Sequence, residues 1–187
     1  LAGDVGVLPT ASYCGALRAD FLNALAEICG NRFGRGLVVP GGVRFDLSEG
    51  DAHRLADRVE RAWNLVREAA QLFFRSPGVR GRTDGTGVLA RETARDLGLV
   101  GPSARACGLS RDARRDHATG IYRFRHIPVI TGESGDVFAR AWVRYLESER
   151  SAAFVAAPMR MPSSSIASVY ACPSRPPWKC GSSLRAR

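Results

Sequence analysis

The densest chemistry in the chain lies in "GLVGPSARACGLSRDARRD", Gly98 to Asp116. It sets Arg105, Arg111, Arg114 and Arg115 beside Asp112 and Asp116, on backbone punctuated by Gly98, Gly101, Pro102 and Gly108. Charge of this density serves a solvated face or an ion-pair network. Glycine and proline at these points serve a backbone held in a fixed path. A second charged pair, Asp136 and Arg140, stands in "GDVFAR".

Other reactive types are arranged less productively. The five cysteines, at 14, 29, 107, 172 and 180, form no C-x-x-C pair, so neither a zinc ribbon nor a disulfide framework is indicated. His53, His117 and His126 are not spaced as ligands on one helix face. "DGTG" at 84–87 is followed by Val88, where a phosphate loop needs Lys and then Ser or Thr. No G-x-G-x-x-G follows a strand. These patterns argue against a zinc ribbon, a phosphate loop and an autonomous dinucleotide-binding module.

Helices must position these groups. Leu17, Phe21, Leu25 and Ile28 recur at helical spacing before Gly30 and predict a helix over 11–29, with Cys14 and Cys29 as core residues. Ser48 and Asp51 predict a capped start. The helix behind them, over about 51–74, carries a stripe of Leu55, Val59, Ala62, Trp63, Val66, Ala69 and Phe73, and "RSPGVRG" ends it. A short helix is expected from Ala90 to Leu97, capped at Gly98. Asp136 is placed to cap a helix over 136–156, with Phe138, Ala141, Tyr145, Ala152 and Val155 on its face. "IYRFRHIPVI" alternates as an edge strand would, and Val43 to Leu47 reads as a short extended piece.

The chain has 187 residues, 45% of them hydrophobic, enough for one domain with a core. No apolar run is long enough for a transmembrane helix. The net charge is +9, but residues 158–187 hold five of the 27 basic side chains and none of the 18 acids. The body is therefore only mildly basic, and no basic–aromatic interleaving supports a nucleic-acid partner. The segment 158–187 is rich in Ser and Pro and holds Lys179, the sole lysine. It is expected to be disordered.

Taken together, Gly3–Leu47, Arg82–Asp116, Ile121–Phe124 and Gly135–Ser151 resemble one family. They are similar to the large subunit of membrane-bound [NiFe] hydrogenases of the formate-hydrogenlyase type, and to its relative, the 49-kDa subunit of respiratory complex I. The pieces that carry the resemblance are Pro40–Val43, G-P-x-x-R-A-x-G-x-x-x-D-x-R from Gly101 to Arg114, and G-D-x-x-x-R from Gly135 to Arg140. It covers residues 1–157.

That resemblance implies a mainly α fold, a hydrogenase-like large-subunit fragment with short β segments, and a redox role in a larger assembly. Partners would be an Fe–S small subunit and a membrane arm, with the chain peripheral at the cytoplasmic face. NAD and quinone binding belong to such an assembly. The Gly101–Arg114 run would be irregular backbone near a buried redox centre. Arg105, Asp112 and Arg114 would form an ion-pair network there, Asp112 and Asp116 supplying carboxylates. Asp136 and Arg140 would be supporting residues. Asp4, in "GDVGVLP", would lie near the buried site as a proton relay, or else cap the turn before the first helix.

Departures from the family pattern shape the expectation. Nickel requires two C-x-x-C pairs, and this chain has neither, so no metal and no bound cofactor is expected of the fragment. The NiFe centre or a quinone is implied only for the whole subunit. Family character is lost near 157, as a reading-frame change there would produce. A non-catalytic remnant that docks a partner is the reading from a different functional class.

Overall fold

A computed structural model describes residues 1–40 and 42–161. The architecture is mainly helical. Helix α1 spans Leu8–Cys29, α2 Glu49–Arg75, α3 Pro77–Thr83, α4 Arg91–Asp96, α5 Gly101–Ala106, α6 Ala113–Asp116 and α7 Val137–Met159. A two-stranded antiparallel ribbon joins β1 (Val38–Val39) to β2 (Gly42–Val43), with Val38 opposite Val43.

Helix α2 is the spine. Ser48 caps it, its Oγ accepting from the Asp51 amide at 3.2 Å and donating to the Asp51 carboxylate at 2.7 Å. Its expected stripe is the buried face, with Leu55, Ala56, Val59, Ala62, Ala69 and Phe73 inside. Both α1 and α7 pack against it. Phe74 anchors the α7 side, meeting Trp142 edge-on at 5.0 Å and Phe138 at 5.6 Å. On the α1 side, Arg58 pairs with Glu27, and with Asp20 at 3.8 Å.

Several local expectations need correction. Helix α1 starts at Leu8, because Pro9 fits a first turn that lacks an amide partner. It buries only Thr10, Leu17 and Ala24, so Cys14 is exposed and Cys29 half-buried, not core. "RSPGVRG" does end α2, with Ser76 turning extended, but a further helix not expected from the sequence follows at once, Pro77 opening α3. The strand expected in 121–130 does not form. Gly120–Arg123 is a 3-10 turn, and the following loop is anchored by buried Ile127 and Ile130. No strand lies beside it among the described residues, and Pro128 has no amide to give one. The extended piece ends at Val43, not Leu47.

Helix α7 also runs past the boundary read at 157. Pro158 sits in its last turn, and Arg160 bonds to Asp57 at 2.8 Å and Glu60 at 2.6 Å. The disorder expected beyond residue 161 falls outside the described residues.

Candidate functional site

The Gly101–Arg114 run is not irregular throughout. Pro102 starts α5 and Gly101, at φ +70°, turns the chain into it. The six-residue helix buries Ala104, Arg105 and Ala106. Ala104 packs with Ala94, Cys107 and Leu109, while Ala106 packs with Ile130, Ala139 and Val143 of the α7 side. Arg105 is thus drawn inside, 6% exposed, because both of its neighbours are core residues.

A buried guanidinium needs compensation. Arg105 donates Nε to Glu147 Oε1 of α7 and Nη1 to the Arg111 carbonyl at 2.9 Å, and stands 3.6 Å from Asp112 Oδ2. Asp112, also 6% exposed, accepts a two-pronged grip from Arg114: Nε at 2.9 Å and Nη2 at 2.6 Å. It also caps α6, accepting from the Arg114 amide at 3.0 Å. The hydrogen bond from Arg114 holds the Asp112 carboxyl at about 2, against the opposing push of burial, with further help from the Arg105 charge.

The expected trio of Arg105, Asp112 and Arg114 is therefore brought together, and Glu147 completes it. Sequence reasoning missed Glu147. Its signal was position: it lies four residues after Val143, which is 1% exposed, so its carboxylate shares the buried side of α7. Asp116, expected as a partner for the buried arginines, instead accepts from the Asp112 amide at 2.9 Å and from Arg115 at 2.7 Å. It is too close to its own turn to reach inward.

Asp136 and Arg140 form a second node at the start of α7. Asp136, 2% exposed, accepts from the Ala139 amide at 2.7 Å, the Gly85 amide at 2.9 Å and Ser134 Oγ at 3.0 Å. Burial pushes its carboxyl up, but these bonds and the Arg140 charge together hold it below the ordinary carboxylate range. Arg140 donates to the carbonyls of Gly87 at 3.1 Å and Gly135 at 2.6 Å. Gly135, at φ +62°, has no room for a side chain: a Cβ would lie 2.2 Å from the Leu89 oxygen. Helix α5 ties the two nodes together, since the Arg105 and Ala106 carbonyls accept from Gly132 at 2.8 Å and Gly135 at 3.0 Å.

Asp4 stands apart from both nodes. Its side chain is 85% exposed. It does not cap α1, whose N-cap residue is Val7 and which has no side-chain cap.

Arg114 and Glu147 also line a groove of about 620 Å³ between α1, α2 and α7, and Arg105 and Asp112 line a cavity of about 600 Å³ together with His117. The four-membered network thus gives two residues to the lining of each. Its charges balance, so it can fix geometry and local field but offers no free acid, base or nucleophile. Among the described residues no group of three or more His, Cys, Asp or Glu could hold a metal. Cys107 is buried with its thiol on the Ser103 carbonyl, and no second cysteine among the described residues is paired with it. The described residues do not fit a thiolate-held nickel centre.

Comparison with known proteins identifies the family. Residues 4–177 match the family model of the respiratory-chain NADH dehydrogenase 49-kDa subunit, a match that runs past 157. The chain is 34% identical over 134 residues to a subunit of the F(420)H(2) dehydrogenase of Methanosarcina mazei, covering 72% of this chain and 36% of that one. It is 35% identical over 148 residues to NADH-quinone oxidoreductase subunit 4 of Thermus thermophilus, covering 79% of this chain and 36% of that one. Among solved structures it superposes on a chain of the membrane-bound sulfane sulfur reductase, an archaeal respiratory membrane complex. The TM-score is 0.75 at 27% identity, over 87% of this chain and 44% of the other. The chain thus spans little more than a third of the length of the curated relatives it matches. With its nodes on the matched segments, the chain belongs to the family of the 49-kDa subunit of respiratory-chain NADH dehydrogenase.

Proposed function

We propose that this chain is a structural portion of an oxidoreductase subunit that passes electrons to a quinone within a membrane-bound respiratory assembly. The observation that carries the reading is the match to the 49-kDa family over residues 4–177. The relatives named NADH-quinone oxidoreductase and F(420)H(2) dehydrogenase support a redox subunit, and the respiratory membrane complex supports its setting. Among the described residues no helix is long and apolar enough to cross a membrane. In this reading the chain sits on the assembly peripherally, at the cytoplasmic face, beside an Fe–S subunit.

The chain then contributes positioning. Arg105, Asp112, Arg114 and Glu147 lock α5 and α6 to α7. Asp136, Arg140 and Gly135 lock the 85–89 turn to the start of α7. Both would hold the walls of a redox site whose reacting groups come from elsewhere in the subunit. Asp4, exposed here, would act as a proton relay only once covered by further polypeptide.

A hydrogenase reading is favoured by the formate-hydrogenlyase character of Gly3–Asn23 and Asn31–Leu47. It needs two C-x-x-C pairs, which these 187 residues do not contain. Membranes containing the assembled complex decide between the two. Reduction of a short-chain quinone that is lost with Arg114→Ala supports the quinone reading. Nickel-dependent hydrogen evolution without quinone reduction would replace it with the hydrogenase reading.

A further inference from the structure

The turn that carries Asp4 is wound by local bonds. The Gly6 amide donates to the Gly3 carbonyl at 3.0 Å and the Val7 amide to the Ala2 carbonyl at 2.8 Å. Such bonds shape the turn but do not set its direction on the bundle. Helix α1 does not set it by capping either, since its N-cap residue, Val7, has no side-chain acceptor. The hold comes from far along the chain. Arg82, in the last turn of α3, donates Nη1 to the Val5 carbonyl across 77 residues. Gly6 lies against the same guanidinium. At φ +78° it would bring a Cβ to 3.2 Å from Nη1, so this close approach suits glycine alone.

Arg82 stands on a fixed backbone. Its neighbour Thr83 is 1% exposed and donates Oγ1 to the carbonyl of equally buried Val79 at 2.8 Å. The residues after it are bound to the start of α7. The Gly85 amide donates to Asp136 Oδ2 at 2.9 Å, the Val137 amide to the Thr86 carbonyl at 3.0 Å, and the Leu89 amide to the Gly135 carbonyl at 3.1 Å. Residues 82–89 thus form a strap, with the Asp4 turn at one end and the Asp136 node at the other. Arg82 binds the carbonyl of the residue after Asp4, an uncharged acceptor, so its part is placement.

We propose that Arg82 is a positioning residue: it holds the Gly3–Val7 turn on the 82–89 strap and so sets where the Asp4 carboxylate sits. The consequence for turnover rests on the relay reading of Asp4, because misplacing a reacting group by about 1 Å can cost roughly 10²-fold. The tether itself rests on the geometry, so each can fail alone.

The test uses the complex isolated from membranes, with hydrogen exchange and quinone-reduction kinetics read on the same preparations. In Arg82→Met the Gly6 and Val7 amides should exchange about three- to tenfold faster, the scale of one hydrogen bond, with the Ala139 and Arg140 amides unchanged. Arg82→Lys, which keeps a donor, should recover part of the protection. Arg80→Met guards against general loosening of α3. Arg80 is on the same helix, but its partners are Asp84 and the Phe138 ring, so its loss should leave Gly6 and Val7 as they were. In turnover, Arg82→Met should lower kcat by roughly tenfold with the KM for a short-chain quinone unchanged. It should add little on top of Asp4→Asn, because both changes act through one group. Unchanged exchange in Arg82→Met, equal acceleration by Arg80→Met, or a full further loss of turnover on top of Asp4→Asn would each overturn the proposal. Full turnover in Asp4→Asn with faster exchange in Arg82→Met would end the relay and support the tether.

Discussion

Arg105 of α5 and Glu147 of α7, 42 residues apart, are joined by a hydrogen bond from Nε to Oε1 that lies almost wholly out of solvent. The pair converts a short helix of six residues into a fixture of the α7 face. Removing Glu147 leaves the buried Arg105 only one carboxylate, Asp112, 3.6 Å away and already held by Arg114. Glu147→Leu should cost about 3–5 kcal/mol of stability, while Arg105→Met with Glu147→Leu should cost clearly less. Denaturant unfolding of the two variants checks this, and equal losses would show that the pair is not the unit.

Asp112 makes stability depend on acid. Its folded value is about 2, against an ordinary 3.8, so the folded state binds its proton more weakly than the unfolded state does. The contribution is complete above about pH 4 and is lost as pH falls through about 2. Its size is about 2 kcal/mol. An unfolding series from pH 5 to pH 2 should show this loss, and Asp112→Asn should flatten it over that window.

Gly135 tests the second node. Its φ of +62° and the 2.2 Å approach of a built Cβ to the Leu89 oxygen leave alanine no unstrained place. Gly135→Ala should destabilise by at least about 2 kcal/mol, whereas Gly85→Ala, strained at φ +66° but free of contacts, should cost less. A melting comparison of the two separates steric approach from backbone strain.

Much of the frame was legible in the sequence. The α2 stripe, the Ser48 and Asp136 caps and the Gly30 stop follow from local rules, because neighbours in sequence are neighbours on a helix. The motif residues Arg105, Asp112 and Arg114 met as expected, since a buried guanidinium must find carboxylate. Glu147 was not found, because its partner lies far along the chain and no local pattern links them. The 121–130 segment alternates like a strand, but alternation cannot supply a neighbouring strand. Cys14 read as core because an apolar helix stripe does not reveal whether anything covers it.

The proposed relay role of Asp4 has its own test. In an assembled enzyme, Asp4→Asn should lower turnover by about tenfold or more with assembly intact, as positioned acid–base groups contribute roughly 10²–10⁴-fold. Turnover at the level of the unmodified enzyme would end the relay.

Membership of a respiratory membrane assembly is tested most directly by affinity isolation of the tagged protein from detergent-solubilised native membranes, with electron paramagnetic resonance of the product. The expected result is recovery with partner polypeptides that show reduced Fe–S cluster signals and support quinone reduction. Recovery of the chain alone from the soluble fraction, without Fe–S signals, would contradict it.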